Sequence, residues 1–409
     1  MRILRGILAF CALLSTVAAG PIPTSEYRTR RAELRKNLDG TLVLFARTEG
    51  RDEVYRVDQD HNFLYLTGWS QPGAILLMTP SNETLFLPRR NPVHEEFTGR
   101  RLDAADADAP KITGVDRVLP VEKFEATLAE AAANAERVYA STDSEEGRKV
   151  QSLLPMRRVV SANPMMAGLR MKKSPAEIDA IRHTTQVSMD AHRAAWRRVQ
   201  PGSYEYQAAA VFTGALLEAG CEGNAYSPIV GSGPNSTVLH YSENRRRMDA
   251  GETIVIDAAA QCDGYTSDIT RTLPVAGKWT PRQKEIYSYV LGAQNAVIAA
   301  IKPGVELMSL SKIAREYLDG FKDEDGKGMA KYLTHGVSHH VGLDVHDATA
   351  MPSTLVPGMV ITVEPGLYIK KENIGIRIED VVLVTEKGAE LLSGSLPREA
   401  DEIEKAMAR

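Results

Sequence analysis

A basic excess, long apolar runs and cysteine are all scarce in this sequence, and each shortage excludes something. Lysine and arginine number 49 against 53 aspartates and glutamates, for a net charge of −4 and a pI near 6.2. Neutralising phosphates requires a basic excess or stripe, so a nucleic-acid partner is not expected. The one basic run, Arg245 to Arg247, is flanked by Glu243 and Asp249 and reads as a solvated turn. The apolar run at residues 7–17 is about half the length a membrane-spanning helix needs, so stable membrane insertion is not expected. Arg2 and Arg5 precede it, and Val17, Ala18 and Ala19 close it with small residues. That pattern predicts a signal peptide over residues 1–19 and an exported, periplasmic or secreted chain. Cys11 would leave with the signal. Cys221 and Cys262 could form one disulfide in such a compartment, but spacing does not show whether their backbones approach closely enough, and a chain of this size does not need the staple, so the bond is not expected.

With 409 residues, 43% apolar and 25% charged, the chain has the composition of a soluble globular protein and the length of two domains. A charged helix is expected over residues 27–36, strands over 41–46, 62–66, 74–78 and 84–87, an alanine-rich helix over 121–137 and a strand over 138–140. Strands alternating with helices make this an α/β domain. Composition turns to proline, methionine and basic residues near 155–173, which places the junction between domains 20–165 and 166–409. Ser174, Pro175 and Glu177 then announce a helix by N-cap, first-turn proline and capping box. It should run to Val199, before Pro201 and Gly202, with further helices over 204–219, 281–301 and 307–318. Paired strands between them give an α+β domain with an antiparallel sheet.

The chemistry concentrates in the second half. Residues 334–347, THGVSHHVGLDVHD, hold four of the nine histidines. Glu364 lies in ITVEPGLYI and Glu379 in IGIRIEDVVLV, while Asp257 and Asp268 lie in TIVIDAAAQCDGYTSDITRT, each within an apolar, strand-like run. Carboxylates buried in strands need a cation or a hydrogen-bond partner to compensate their desolvation. If each run folds as a hairpin, Asp257 opposes Asp268 across a turn at Cys262 and Asp263, and Glu364 opposes Glu379 across Lys371 and Glu372. Opposed residues share a face, so the pairs would build one acidic pocket, to which His339 adds a nitrogen. Four carboxylates and one imidazole form a hard site suited to manganese or another octahedral divalent ion. So many carboxylates suggest two ions sharing bridging ligands, able to hold a hydroxide as nucleophile and polarise a carbonyl, which makes hydrolysis the natural reaction.

Other residues carry bland readings. A lone aspartate ending a TIVID-type strand ordinarily faces solvent or caps a neighbour, so the combination carries the weight. His340, on the opposite strand face from His339, reads as structural. His61, His94, His183 and His192 have no partner at informative spacing and read as surface or core, and Tyr241 as packing.

Read together, YSPIVGSGPNSTVLHYSENRRRMDAGETIVID at 226–257, the aspartate hairpin, THGVSHHVGLDVHD, PGMVITVEPGLYI and IGIRIED resemble aminopeptidase P, of the pita-bread metallopeptidase family. DHNFLYLTGWSQPGAILLM at 60–78 resembles the creatinase-type N-terminal domain of the same enzymes. The resemblance implies a pita-bread α+β catalytic domain behind a smaller α/β domain. It implies two manganese ions, Asp268 and Glu379 bridging, Asp257 completing one and His339 with Glu364 the other. His240 and His346 would face the substrate carbonyl, Glu364 would handle the proton of the bridging water, Arg377 and Tyr368 would support the site, and His335 would be a further active-site histidine. The implied substrate is a peptide with proline second, whose bond lacks an N–H and defeats general peptidases. The N-terminal domain would limit access and join homo-oligomer contacts, a dimer or tetramer. Prolidase shares all five ligands and is the nearest alternative, although GLDVHD and LVPGMVITVEPGLYI lean towards aminopeptidase P. Methionine aminopeptidase lacks the N-terminal domain, creatinase works without metal, and a non-catalytic binding protein of this fold would be expected to have lost ligands.

Overall fold

The computed structural model describes residues 22–49 and 59–408. The expected signal peptide lies outside the described residues. Among them, no helix is long and apolar enough to cross a membrane.

The first half is built on a six-stranded sheet in the order Val118–Pro120, Glu83–Leu87, Ile75–Met78, Thr41–Phe45, Arg137–Ala140, Arg158–Ser161. The three strands from Thr41 to Leu87 pair antiparallel, and the outer strands add in parallel. Alternation sorts the side chains. Val43, Ile75, Leu77 and Phe86 pack under Phe124 and Leu128 on one face. Leu42, Leu44, Leu76 and Leu85 pack on the other with Phe63 and Leu66.

Phe63 and Leu66 belong to a helix, His61–Thr67, where a strand was expected at 62–66. Asp60 accepts from the Phe63 amide as its N-cap, and Gly68 in the left-handed region (φ 63°) closes it. Two local signals thus override a short apolar run that fits either structure. The helix expected over 121–137 is a 3-10 turn, Val121–Lys123, then Phe124–Ala132.

In the second half the same device opens two helical layers. Ser174 caps Pro175–Trp196 with Glu177 returning to its backbone, as expected, and Thr280 caps Pro281–Ala300 with Gln283. Each helix packs against a following one, Glu205–Glu218 and Ser309–Asp319. The single antiparallel sheet expected here is divided into short antiparallel sheets. Those that matter below are Ile229–Ser232, Thr253–Asp257 and Thr270–Pro274; Val360–Val363, Asp380–Thr385 and Gly388–Leu391; and the pair Gly366–Ile369 with Ile374–Arg377.

Cys221 and Cys262, not expected to pair, form a disulfide. The amide of Glu222 bonds the Gln261 carbonyl at 2.9 Å and Gly223 pairs with Gln261, which brings the two backbones together where spacing gave no hint. The bond closes a 41-residue separation. Replacing both cysteines with alanine is expected to cost about 2–4 kcal/mol. Denaturant midpoints with and without reductant check it: reduction should lower the midpoint of the parent chain and leave the variant unmoved.

The halves meet across charged groups. His61 Nδ1 lies 2.6 Å from Asp344 Oδ1, and Arg170 donates to Asn62 Oδ1 at 2.8 Å, Asp344 Oδ2 at 2.6 Å and Asp347 Oδ1 at 2.5 Å. Lys173 completes the cluster on Asp347 Oδ2 at 2.9 Å. His61, given no partner by its spacing, is therefore a bridge between domains. His94 pairs with Glu49 at 3.0 Å, and Tyr241, read as packing, donates to Glu205 Oε2 at 2.8 Å.

Candidate metal centre

Two hairpins aim their carboxylates at one point. Pairs Val363↔Asp380 and Gly366↔Arg377 bracket Glu364 and Glu379 in one register, so these two are opposed as expected. Asp257 instead faces Thr270. The turn is Asp263 and Gly264, both at positive φ (52° and 82°), between the paired Cys262 and Tyr265. Centring the turn one position later shifts the partner by two residues, which changes the register and preserves the face.

Three sets of ligand atoms, each within 4.8 Å of one another, result: Asp257, Asp268 and Glu379; His339, Glu364 and Glu379; and Asp268, His339 and His346. All five expected ligands are brought together; Asp268, Glu379 and His339 each belong to two sets, the first two being the carboxylates so shared. His339 Nδ1 donates to the His340 carbonyl at 3.0 Å, so Nε2, facing Asp268 (3.4 Å) and Glu364 (3.5 Å), is the nitrogen that gives up its proton when an ion binds. The tautomer that results is the one a metal ligand needs.

Electrostatics point the same way. Burial, then Asp268 and Glu364, raise the Glu379 carboxyl well above its ordinary range. Burial also raises Asp257, against the pull of Arg377, and pushes Glu364 up to about 7. Burial opposes protonation of His339, yet Asp268 and Glu364 push its imidazole up to about 9. Carboxylates retaining protons around a histidine holding one are the signature of a cluster that lacks positive charge. Oxygen donors dominate, and the residues fit divalent cations.

A supporting chain runs behind the ligands. Arg377 donates to Asp257 Oδ2 at 2.6 Å and to the Tyr368 hydroxyl at 2.8 Å. His335 Nδ1 donates to the Gly336 carbonyl at 2.6 Å, so Nε2 accepts from the Tyr368 hydroxyl at 2.8 Å. Burial and Arg377 hold His335 down at about 4 and therefore neutral. The His346 ring lies 4.1 Å from that of His339, and burial lowers its pKa. His346 and His240 are exposed, and His240 is close enough to disfavour protonation of both His335 and His346. A cleft of about 720 Å³ opens beside His346, walled by Asp60, Asn62 and Asp143 of the first half and Asp344 and Met351 of the second. His340 is buried on Ser353 at 2.9 Å, as a structural histidine should be.

Sequence reasoning passed over Tyr226. Its hydroxyl bonds Asp257 Oδ1 and lies 2.5 Å from Asp268 Oδ1, and burial followed by those two carboxylates raises its pKa far above the usual value. A tyrosine opening the 226–257 motif was the available signal, though nothing in its spacing names the aspartates. Tyr226→Phe is expected to weaken ion binding or turnover roughly 10- to 100-fold with the fold intact. Calorimetric ion titration beside steady-state kinetics would check it.

Comparison with known proteins agrees with this geometry. A family model described as Metallopeptidase family M24 matches residues 179–386, and one described as Aminopeptidase P, N-terminal domain, matches residues 27–139. Xaa-Pro aminopeptidase of Escherichia coli K12 is 33% identical over 94% of this chain and 98% of its own length. Xaa-Pro aminopeptidase 3 of Homo sapiens is 32% identical over 92% of this chain and 82% of its own. Among solved structures, E. coli aminopeptidase P with the inhibitor Pro-Leu is similar with a TM-score of 0.86 at 30% identity, over 94% of this chain and 98% of that one. Proline aminopeptidase P II from Yersinia pestis is similar with a TM-score of 0.86 at 31% identity, over 94% and 99%. With both domain models matched in order and the carboxylates converging on one histidine, the chain belongs to metallopeptidase family M24.

Proposed function

We infer that this chain is a metal-dependent aminopeptidase that releases the first residue from peptides with proline second. The observation that carries the reading is the convergence of Asp257, Asp268, His339, Glu364 and Glu379 within ligand distance. Asp268 and Glu379, each common to two sets, would bridge two ions, with Asp257 on one and His339 and Glu364 on the other. The all-oxygen and single-imidazole donor set favours manganese. When bound, the ions supply a water acidic enough to attack at neutral pH and polarise the scissile carbonyl.

The chain's own residues would do the rest. Glu364 would take the proton of the attacking water and return it to the departing proline nitrogen. His346 and His240 can donate to the oxygen on which negative charge develops. Arg377 fixes Asp257, and through Tyr368 keeps His335 oriented. The cleft beside His346 has room for the chain beyond proline, and its walls come from both domains, which restricts entry to short or unstructured termini. The inhibitor named with the E. coli structure, Pro-Leu, is what cleavage of an Xaa-Pro-Leu peptide would leave. It supports a proline seat on the leaving side, and a peptide of that length disfavours prolidase.

Export after cleavage of residues 1–19 is supported by the Cys221–Cys262 disulfide, which suits an oxidising compartment. Homo-oligomer contacts through the N-terminal domain are supported by Val93 and Phe97, 68% and 82% exposed on one helix.

The test is release of the first residue from a tripeptide with proline second, against an Xaa-Pro dipeptide and an alanine-second tripeptide, with manganese or chelator. Chelator-sensitive cleavage of the proline tripeptide alone is expected. Cleavage of the dipeptide alone would transfer the chain to the prolidase reading, and activity on none would end the peptidase reading.

A further inference from the structure

Each carboxylate pair stands where its hairpin ladder comes apart. In the first hairpin, Asp257 pairs with Thr270 and regular pairing resumes at Gln261 and Thr266, with single 3.2 Å bonds from the Ala258 amide to the Ile269 carbonyl and from the Ser267 amide to the Ala260 carbonyl in between. In the second, pairing is broken between Val363↔Asp380 and Gly366↔Arg377. Carbonyls buried at such a break need donors from outside the ladder.

One polar side chain from the covering helix enters each break. His192, on Pro175–Trp196, places Nε2 3.0 Å from the Ala258 carbonyl and 3.2 Å from that of Ile269. Gln294, on Pro281–Ala300, donates from Nε2 to the Val363 carbonyl at 3.1 Å, the Ile378 carbonyl at 3.2 Å and Asp380 Oδ2 at 2.9 Å. Both side chains are 0% exposed. Ala258 and Ile269 directly follow Asp257 and Asp268, while Val363 and Ile378 directly precede Glu364 and Glu379. The two halves of the domain therefore use different residues for the same task.

We propose that His192 and Gln294 are positioning residues, each drawing the two strands of its hairpin onto one buried nitrogen and so setting the separation of the carboxylates that hold the ions. The proposal rests on the metal-site reading above. Each donor is itself held. The His192 ring lies edge-on to Phe212 and Trp196 with centroids at 5.1 and 6.5 Å, and Gln294 Oε1 accepts from Arg398 at 3.2 Å. His192 Nδ1 has no hydrogen-bond partner, so its ring contributes through Nε2–H alone. An apolar side chain would fill the same space without an unsatisfied nitrogen. Removing the donor takes from each break the one side-chain nitrogen that both strands share, and the strands lose a tie that sets their spacing.

The test uses the full chain and manganese(II) as the only probe, read by calorimetry and by the electron paramagnetic resonance spectrum of the loaded pair, which responds to ion spacing. His192→Leu and Gln294→Met should weaken manganese binding roughly 10- to 100-fold and alter that spectrum. His192→Gln, which restores an amide donor, should return both close to the parent values, a rescue that a space-filling role would not require. Parent-like affinity and spectrum in His192→Leu and Gln294→Met would overturn the proposal, as would a His192→Gln variant no better than His192→Leu. Should His192→Leu fail to fold, the near-isosteric Gln294→Met decides. A parent chain that binds no manganese would instead overturn the metal-site reading on which the proposal rests, and the two failures are thereby distinct.

Discussion

Glu379→Gln is expected to lower kcat/KM on a proline-second tripeptide by roughly 10³- to 10⁵-fold, since an ion's share of transition-state stabilisation is several kcal/mol. The substitution is nearly isosteric, and Glu379 is only 2% exposed. What it removes is an anionic donor common to two of the three ligand sets, so both candidate ion positions lose a ligand at once. The amide can still meet the Thr270 hydroxyl, now 2.6 Å from Glu379 Oε2, and the Glu379 amide keeps its 3.0 Å bond to the Thr270 carbonyl. Folding should therefore survive. In the metal-free chain, where burial and neighbouring carboxylates favour the protonated acid, a neutral amide is a close substitute and should cost little stability. Metal analysis beside kinetics decides: two ions retained with near-parent turnover would remove Glu379 from the centre.

The second large effect is an inversion of stability with pH between the metal-free and loaded chains. Glu364 is raised from 4.5 to about 7 in the fold, so over that window the folded chain binds more protons than the unfolded one. Its contribution is complete below 4.5 and lost as pH rises through about 7. His339, raised from 6.5 to about 9, acts in the same direction: its contribution is complete below 6.5 and lost towards 9. With chelator, the chain should melt lower at about pH 8 than at about pH 5.5. With manganese the order should reverse, because ligands must shed protons to bind ions. Asp344 and Asp347, whose carboxyls stay low, contribute to both curves alike, so the difference between curves isolates the centre. Parallel melting curves at both values would mean that Glu364 and His339 are not held by a shared charge deficit.

How far the sequence could be read depended on where each residue's partner lay. The Glu364 and Glu379 register was legible because Asn373, in the left-handed region at φ 53°, closes the turn where the polar residues place it. The Asp257 register was missed by two because the turn was centred on Cys262 and Asp263, whereas Asp263 and Gly264, both at positive φ, form the two-residue turn that an Asp-Gly pair favours. The Asn62 to Leu66 stretch was misread because NFLYL satisfies strand and helix alike, and only the Asp60 cap and Gly68 tell them apart. The capping box at Ser174 was legible since all its partners lie within three residues. Tyr226, His192 and Gln294 were not, because their partners are carboxylates and backbone carbonyls 31 to 86 residues away that only the closed fold brings near. The disulfide was hidden for the same reason.

The ion cluster between the domains reaches further than docking. His346 stands between Asp344 and Asp347, and the cations that hold those carboxylates come from His61 when protonated, Arg170 and Lys173, all upstream of the catalytic helices. Until the first domain has closed, Asp344 lacks its contact with His61 and Arg170 lacks Asn62, so the segment bearing His346 is held at fewer points. Closure of the first domain and the setting of the cleft histidine are thereby coupled through one shared ion cluster.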